Sequence, residues 1–307
     1  MTGVLIGFAV VGSVIALGYL LGRIGILGPG AQFTISRLVF FALTPALLFT
    51  VMYEADVHVL FSVPLLVAVI SAVSAGLVYL VVIRFFGKRS VPQLVVGTLA
   101  SGYQNANNIG LPIAVFVLGG PEYVVPVILL QILVFAPIAL TILDASTRGT
   151  VSVTTILLQP VRNPLIIASV VGVLLNVFQV PIPDDVLAPF ELVGAAMVPL
   201  VLISFGMSLH GERPLKPGPE RVDVLVASAV KLAVMPLVAY LVARFLFGIE
   251  GHALFALVVV AAFPTAQNVF NYAQRYDRSV ILARDAVLLT TVLAIPVLVI
   301  VAALLAQ

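Results

Sequence analysis

The chain has no cysteine and only three histidines, His58, His210 and His252. Without cysteine there is no disulfide framework, no thiolate metal site and no thiol redox chemistry. The three histidines are too scattered for a zinc site. Charge is also scarce. Only 9% of the 307 residues are Asp, Glu, Lys or Arg, against about 25% in a soluble domain. With 62% hydrophobic residues and a mean hydropathy of +1.24, the chain cannot cover its own surface with polar side chains. A soluble enzyme, a nucleic-acid binder and a disordered scaffold are excluded. No phosphate-binding glycine loop is present, which argues against ATP-driven transport within this chain. No Ser/His/Asp group or paired carboxylates suggest an intramembrane hydrolase, so no enzyme is expected. A polytopic membrane protein remains, with the lipid bilayer as its partner and no role for nucleic acid.

A bilayer-crossing helix needs about 20 mostly apolar residues. Cutting the chain at charged and Pro/Gly-rich stretches predicts ten transmembrane helices, over 3–22, 35–53, 61–84, 93–118, 123–143, 163–179, 186–209, 223–246, 252–274 and 281–305. The runs lack the alternating polarity of barrel strands, so the expected fold class is an all-α membrane protein. The first span has no basic region before it and is followed by more spans, which reads as a retained helix and not a cleaved signal. One set of alternating loops holds 13 of the 15 Lys and Arg residues, among them Arg23, Arg37, Arg148, Arg162, Arg213, Lys216 and Arg275. The opposite set holds Arg244 alone, and Lys231 falls within a span. That bias assigns the first set to the cytoplasm. The protein is then expected in the cell membrane with both termini extracellular.

The two halves, 1–155 and 156–307, repeat short features in order. Pro45 matches Pro199, Tyr79-Leu80-Val81 matches Tyr240-Leu241-Val242, and Leu129-Leu130 with Pro137 matches Leu288-Leu289 with Pro296. Gln104-Asn105-Ala106-Asn107-Asn108 matches Gln267-Asn268-Val269-Phe270-Asn271 at an offset of 163. Five spans is an odd number, so the halves run in opposite directions, as a 5+5 inverted repeat.

The amide clusters interrupt spans 4 and 9, and each has a proline nearby, Pro112 or Pro264. Gly110, Pro112, Pro264 and Thr265 mark the expected helix breaks, because proline removes a backbone hydrogen bond. Irregular backbone at membrane depth is tolerated only where protein or a water-filled cavity covers it. Interrupted segments at matching places in two halves point to a transporter's binding site. A helix starting there presents free N–H groups to an anion. Asn105, Asn108, Asn268 and Asn271, with Gln104 and Gln267, are the candidate substrate-binding residues, since amides bind carboxylates without a competing charge. These amides are otherwise read as interhelical glue.

Charge compensation or coupling is assigned to Lys231, Asp144, Glu191 and Asp285, each of which also has an ordinary reading at an interface. Lys231 either neutralises a substrate, anchors a helix or extends to the membrane surface. No carboxylate lies at the centre of a span, which leaves open a sodium site near Thr265, Gln267 and Asn268, a proton, or no coupling ion. Gln131, Thr290 and Thr291 are further candidates for lining a cavity, and Tyr103 for stacking or gating. No cofactor and no other metal is expected.

Asn108-Ile109-Gly110-Leu111-Pro112-Ile113, Arg162-Asn163-Pro164-Leu165-Ile166-Ile167-Ala168 and Pro264-Thr265-Ala266-Gln267-Asn268 resemble the auxin efflux carrier family. With no long loop between spans 5 and 6, the chain looks like the compact prokaryotic form. The resemblance covers essentially the whole chain. It implies a scaffold of helices 1, 2, 6 and 7 and a transport domain of helices 3–5 and 8–10. Helices 4 and 9 would cross at their breaks and carry a small organic anion, auxin-like or malate/malonate-like, by elevator-type alternating access. It also implies a homodimer through helices 2 and 7. The alternatives are a sodium-coupled symporter of the bile-acid type and a non-transporting ligand or sterol sensor.

Overall fold

A computed structural model describes residues 2–54, 63–148, 163–210, 218 and 220–306. Arg162 of the second signature, the basic residues Arg213 and Lys216, and the boundary between the halves lie outside the described residues. Among those described, regular structure is entirely helical. The helices are α1 (Thr2–Ile24), α2 (Ala31–Glu54), α3 (Val63–Arg84), α4 (Val91–Gly102), α5 (Ala106–Leu118) and α6 (Pro121–Thr147). They continue as α7 (Pro164–Val177), α8 (Asp184–Ser208), α9 (Arg221–Leu246), α10 (Gly251–Ala261), α11 (Gln267–Tyr276) and α12 (Val280–Leu305). The fourth and ninth apolar stretches each hold two helices, and the other stretches hold one.

Six helices, α2, α3, α6, α8, α9 and α12, are long and apolar enough to cross a bilayer. Ala9–Ile24 of α1 is apolar but shorter, as are α4, α5, α7 and α10. Helices bond their own backbone groups, which is what hydrocarbon demands. Leu192, Leu237, Ile295 and Leu304 point outward, where a soluble protein would place charge. The chain is therefore a multi-pass membrane protein.

Local signals place several helix starts. Ser90 and Gln93 form a capping box at α4, satisfying two backbone donors reciprocally. The Asn163 side chain accepts from Leu165 N at α7, with Pro164 in the first turn, where its missing N–H is harmless. In α5, α6 and α9 the ladder widens locally over Ala106–Gly110, Gln131–Phe135 and Val230–Val234. Such wide turns often accompany functional sites.

The helices pack in two groups. α1 lies along the second half of α8, and α2 lies against α7 and the first half of α8. Small residues let these backbones meet. A Cβ added at Gly172 would sit 2.6 Å from Phe49 O, and one at Gly194 would sit 3.0 Å from Leu47 Cα. The second group contains α3, α4, α6, α9, α10, α11 and α12, while α5 touches α1 and α8. A charged knot ties this group at the end carrying the α3–α4 loop. Arg89 Nε donates to both carboxylate oxygens of buried Asp223, at 2.9 and 3.0 Å. Tyr79 Oη adds a bond to Oδ1 at 3.2 Å. The hydrogen bond to Asp223 raises the Arg89 pKa beyond its ordinary value.

Candidate functional site

Two helix breaks face each other. α4 ends at Gly102 and α5 starts at Ala106, while α10 ends at Ala261 and α11 starts at Gln267. Between the helix ends the two segments pair through one antiparallel bridge, Gln104 with Thr265. Asn105 N donates to Pro264 O at 2.7 Å, and Ala266 N to Tyr103 O at 3.0 Å. A local twofold exchanges these two bonds, making Tyr103 the counterpart of Pro264 and Asn105 the counterpart of Ala266, an offset of 161. Tyr79 and Tyr240 share that offset. Matching the amides by residue type, at 163, is thus two residues out of step with the backbone. In this correspondence the counterpart of Asn268 is Asn107.

The broken ends are satisfied across the crossing. Thr265 Oγ1 donates to Ala100 O of α4 at 2.6 Å, and Thr265 N donates to Thr290 Oγ1 at 3.0 Å. In the other direction Gln104 Nε2 donates to Val260 O of α10 at 3.0 Å. Lys231 Nζ donates to Ala261 O at 2.9 Å and lies 3.0 Å from Met235 Sδ, with its side chain wholly buried. A cation at a helix C-terminus complements the exposed carbonyls and the helix dipole. Lys231 therefore caps α10 and reaches neither the membrane surface nor the cavity.

Of the break residues, Pro264 and Thr265 lie in the interruption itself. Gly110 and Pro112 lie inside α5, past the break. Leu111 N bonds Ala106 O, five residues back, so the widened turn receives Pro112 without ending the helix. Gly110 serves close packing, because an added Cβ would sit 2.7 Å from the Phe263 ring.

Beside the crossing lies a cavity of about 680 Å³, within the usual size of small-molecule sites. Asn107, Asn108, Gln267, Asn268 and Asn271 line it at the starts of α5 and α11. Gln131 and Ile132 of α6 form another wall, with Gln32, Ser36, Phe40, Ser204 and Phe205 of α2 and α8 opposite. Tyr103 and Tyr272 meet edge to face at 6.3 Å and also line it. Arg37 and Arg275 are exposed at the cavity. Arg37 rests over Phe33 and Phe41 at 5.7 and 5.5 Å, and Arg275 over Tyr276 at 5.7 Å. Among the described lining residues there are two arginines and no carboxylate.

The structure brings four of the six candidate amides to this cavity. Gln104 is turned onto α10, and Asn105 is the N-cap of α5, accepting from Asn108 N at 3.2 Å. Both are spent on orphan backbone groups at helix ends. The proposed sodium ligands are divided, since Gln267 and Asn268 line the cavity and Thr265 does not. Asp144 and Asp285 are buried away from it, Asp285 beside Arg284 at 2.7 Å, and Glu191 is exposed on α8. Thr290 and Thr291 do not line it, whereas Gln131 does. Arg37, Arg275 and Asn107 were not singled out as site residues from the sequence. The arginines look like ordinary loop-flanking charges until α2 and α11 are brought together. Asn107 lies between Asn105 and Asn108 in the same amide cluster.

Interrupted helices around a polar cavity in an apolar bundle are the build of a membrane transport protein. A family model described as membrane transport protein matches residues 4–302. The chain belongs to this family, that of the auxin efflux carriers, and is a transporter and not an enzyme. It is also 28% identical to an "uncharacterized transporter" of Methanothermobacter thermautotrophicus over 289 residues, which cover 92% of this chain and 91% of that protein.

Proposed function

We propose that this transporter is a secondary carrier for a small organic anion and works by alternating access. The supporting observation is the composition of the cavity, where two helix starts, eight side-chain amides and two arginines converge without a carboxylate among the described lining residues. Helix starts and arginine both favour negative ligands, and amides orient them. On the apolar walls, Phe40, Phe205 and Ile132 accommodate a hydrocarbon portion. The ten stretches then act as a 5+5 inverted repeat. α1, α2, α7 and α8 serve as the scaffold, and the group built on the crossing serves as the moving transport domain, in an elevator motion. With the arginine-rich side cytoplasmic and the termini outside, the cavity faces inward. The family expectation of a homodimer through α2 and α8, the second and seventh spans, belongs to the same reading.

The test is ligand binding by the purified full chain, followed by uptake into proteoliposomes. Ligands of the folded state raise its melting temperature. A carboxylate should stabilise the protein, and Asn268→Ala and Arg275→Gln should each weaken its binding by about tenfold or more, the range for hydrogen bonds to charged groups. Folded yield should be unchanged. Stabilisation by amines alone, or full affinity in both variants, would reject the anion reading.

A further inference from the structure

The loop between α3 and α4 holds two aromatic side chains outside the bundle. Phe85 is 84% exposed and Phe86 55%, although large apolar side chains normally seek burial. The loop is not free to fold them back. Arg89 Nη1 donates to Phe86 O at 3.1 Å, while Arg89 Nε is fixed on buried Asp223. Gly87 makes the turn at φ +110°. Arg84 and Lys88, both exposed, flank the aromatic pair. Helix α3 has 22 residues, about 33 Å at the usual helical rise, which matches a hydrocarbon core of about 30 Å. Its last residue, Arg84, and the aromatics after it therefore stand at the edge of the hydrocarbon.

The loop between α9 and α10, across the membrane by span count, supplies the contrast. Its Phe247-Gly248 matches Phe86-Gly87 at the offset of 161. It too follows bared apolar side chains, Phe245 at 72% and Leu246 at 66%. The cation beside them, Arg244, is paired with Glu250. From Arg84 to Ser90 there is no carboxylate, so Phe85 and Phe86 are framed by positive charge. We propose that the α3–α4 loop is a membrane-surface anchor for anionic phospholipid. Phe85 and Phe86 seat among the acyl chains, and Arg84 and Lys88 hold the headgroups. Aromatic rings settle at the boundary of the hydrocarbon, and each Lys or Arg near an anionic surface adds attraction. The α9–α10 end makes the apolar contact without the preference for charge.

The chain has no tryptophan, so Phe85→Trp introduces a lone fluorescent reporter. The experiment places the full chain in nanodiscs of equal phosphatidylglycerol and phosphatidylcholine, with bromine on the acyl chains of one lipid or the other. Bromine quenches tryptophan on contact. Quenching should be at least about twofold stronger with the bromines on phosphatidylglycerol. Adding Arg84→Gln and Lys88→Gln should abolish that excess while quenching by brominated phosphatidylcholine persists. Phe245→Trp should be quenched about equally by the two lipids. Phe86→Trp is the second reporter, used if Phe85→Trp does not yield a folded protein. A water-exposed emission that neither lipid quenches would show that the loop does not enter the bilayer, and the anchor would be wrong. Equal quenching at Phe85→Trp, or an excess that survives loss of both charges or appears at Phe245→Trp as well, would overturn the preference for anionic lipid.

Discussion

Gly206→Ala is expected to destabilise the protein by about 3 kcal/mol or more, the upper range for overpacking, and Gly206→Val to abolish the folded state. The reason is backbone contact. A Cβ at Gly206 would meet Ile15 O, with Tyr19 N at 2.7 Å and Gly18 Cα at 2.9 Å, all of them backbone atoms of α1. Gly18 is constrained in return, with Ile203 Cα at 2.8 Å and Ile203 O still closer. Backbone atoms cannot swing aside as a side chain does, so the two helices would have to separate. Helix propensity works the other way, favouring alanine over glycine by about 1 kcal/mol. Gly12 provides the control on α1, because an added Cβ there has nothing within 4 Å. Gly12→Ala should leave stability unchanged or slightly raised. Size-exclusion profiles of heated detergent extracts would separate the variants, and identical melting for Gly206→Ala and Gly12→Ala would contradict the close crossing.

The second large effect is expected at Lys231. Lys231→Ala should cost about 2–5 kcal/mol, the range for emptying a buried site. Lys231→Met keeps most of the stem volume and should cost about 1–3 kcal/mol, the penalty for a buried group that loses its partner. That group is Ala261 O at the end of α10, to which Lys231 Nζ donates. Gln104 is no substitute, since its Nε2 is occupied at Val260 O. Thermal unfolding of the two variants separates the packing of the stem from the capping by the ammonium. A Lys231→Met protein more stable than the parent would mean that desolvating the ammonium outweighs the cap, and the capping role would be wrong.

The places where the helices stop were readable from residue type. Ser101 to Asn108 and Pro264 to Asn271 interrupt long apolar runs, and only a buried crossing or a cavity can hold such residues at membrane depth. Which residue would do what at the break was less readable. Gln104 and Asn108 are both amides four residues apart, yet one bonds α10 and the other lines the cavity. Their separation depends on the interruption at Tyr103–Asn105, where the bridge to Thr265 sets Gln104 against the facing break. Proline was a partial guide. Pro264 lies in an interruption, whereas Pro112 is carried within a widened helical turn.

By itself the sequence determined a helical membrane transporter with two polar interruptions, because hydropathy, charge distribution and the signatures at Asn108 and Pro264 are local properties of the chain. Only the tertiary structure decided the chemistry of the cavity. Arg37 and Arg275 come to one site from opposite ends of the chain, and Gln131 joins them from a third helix. The physical reason is that a broken helix leaves donors and acceptors that must be satisfied from elsewhere. Thr265, Gln104 and Lys231 meet that need across the crossing, and only the polar groups left over are free for a ligand.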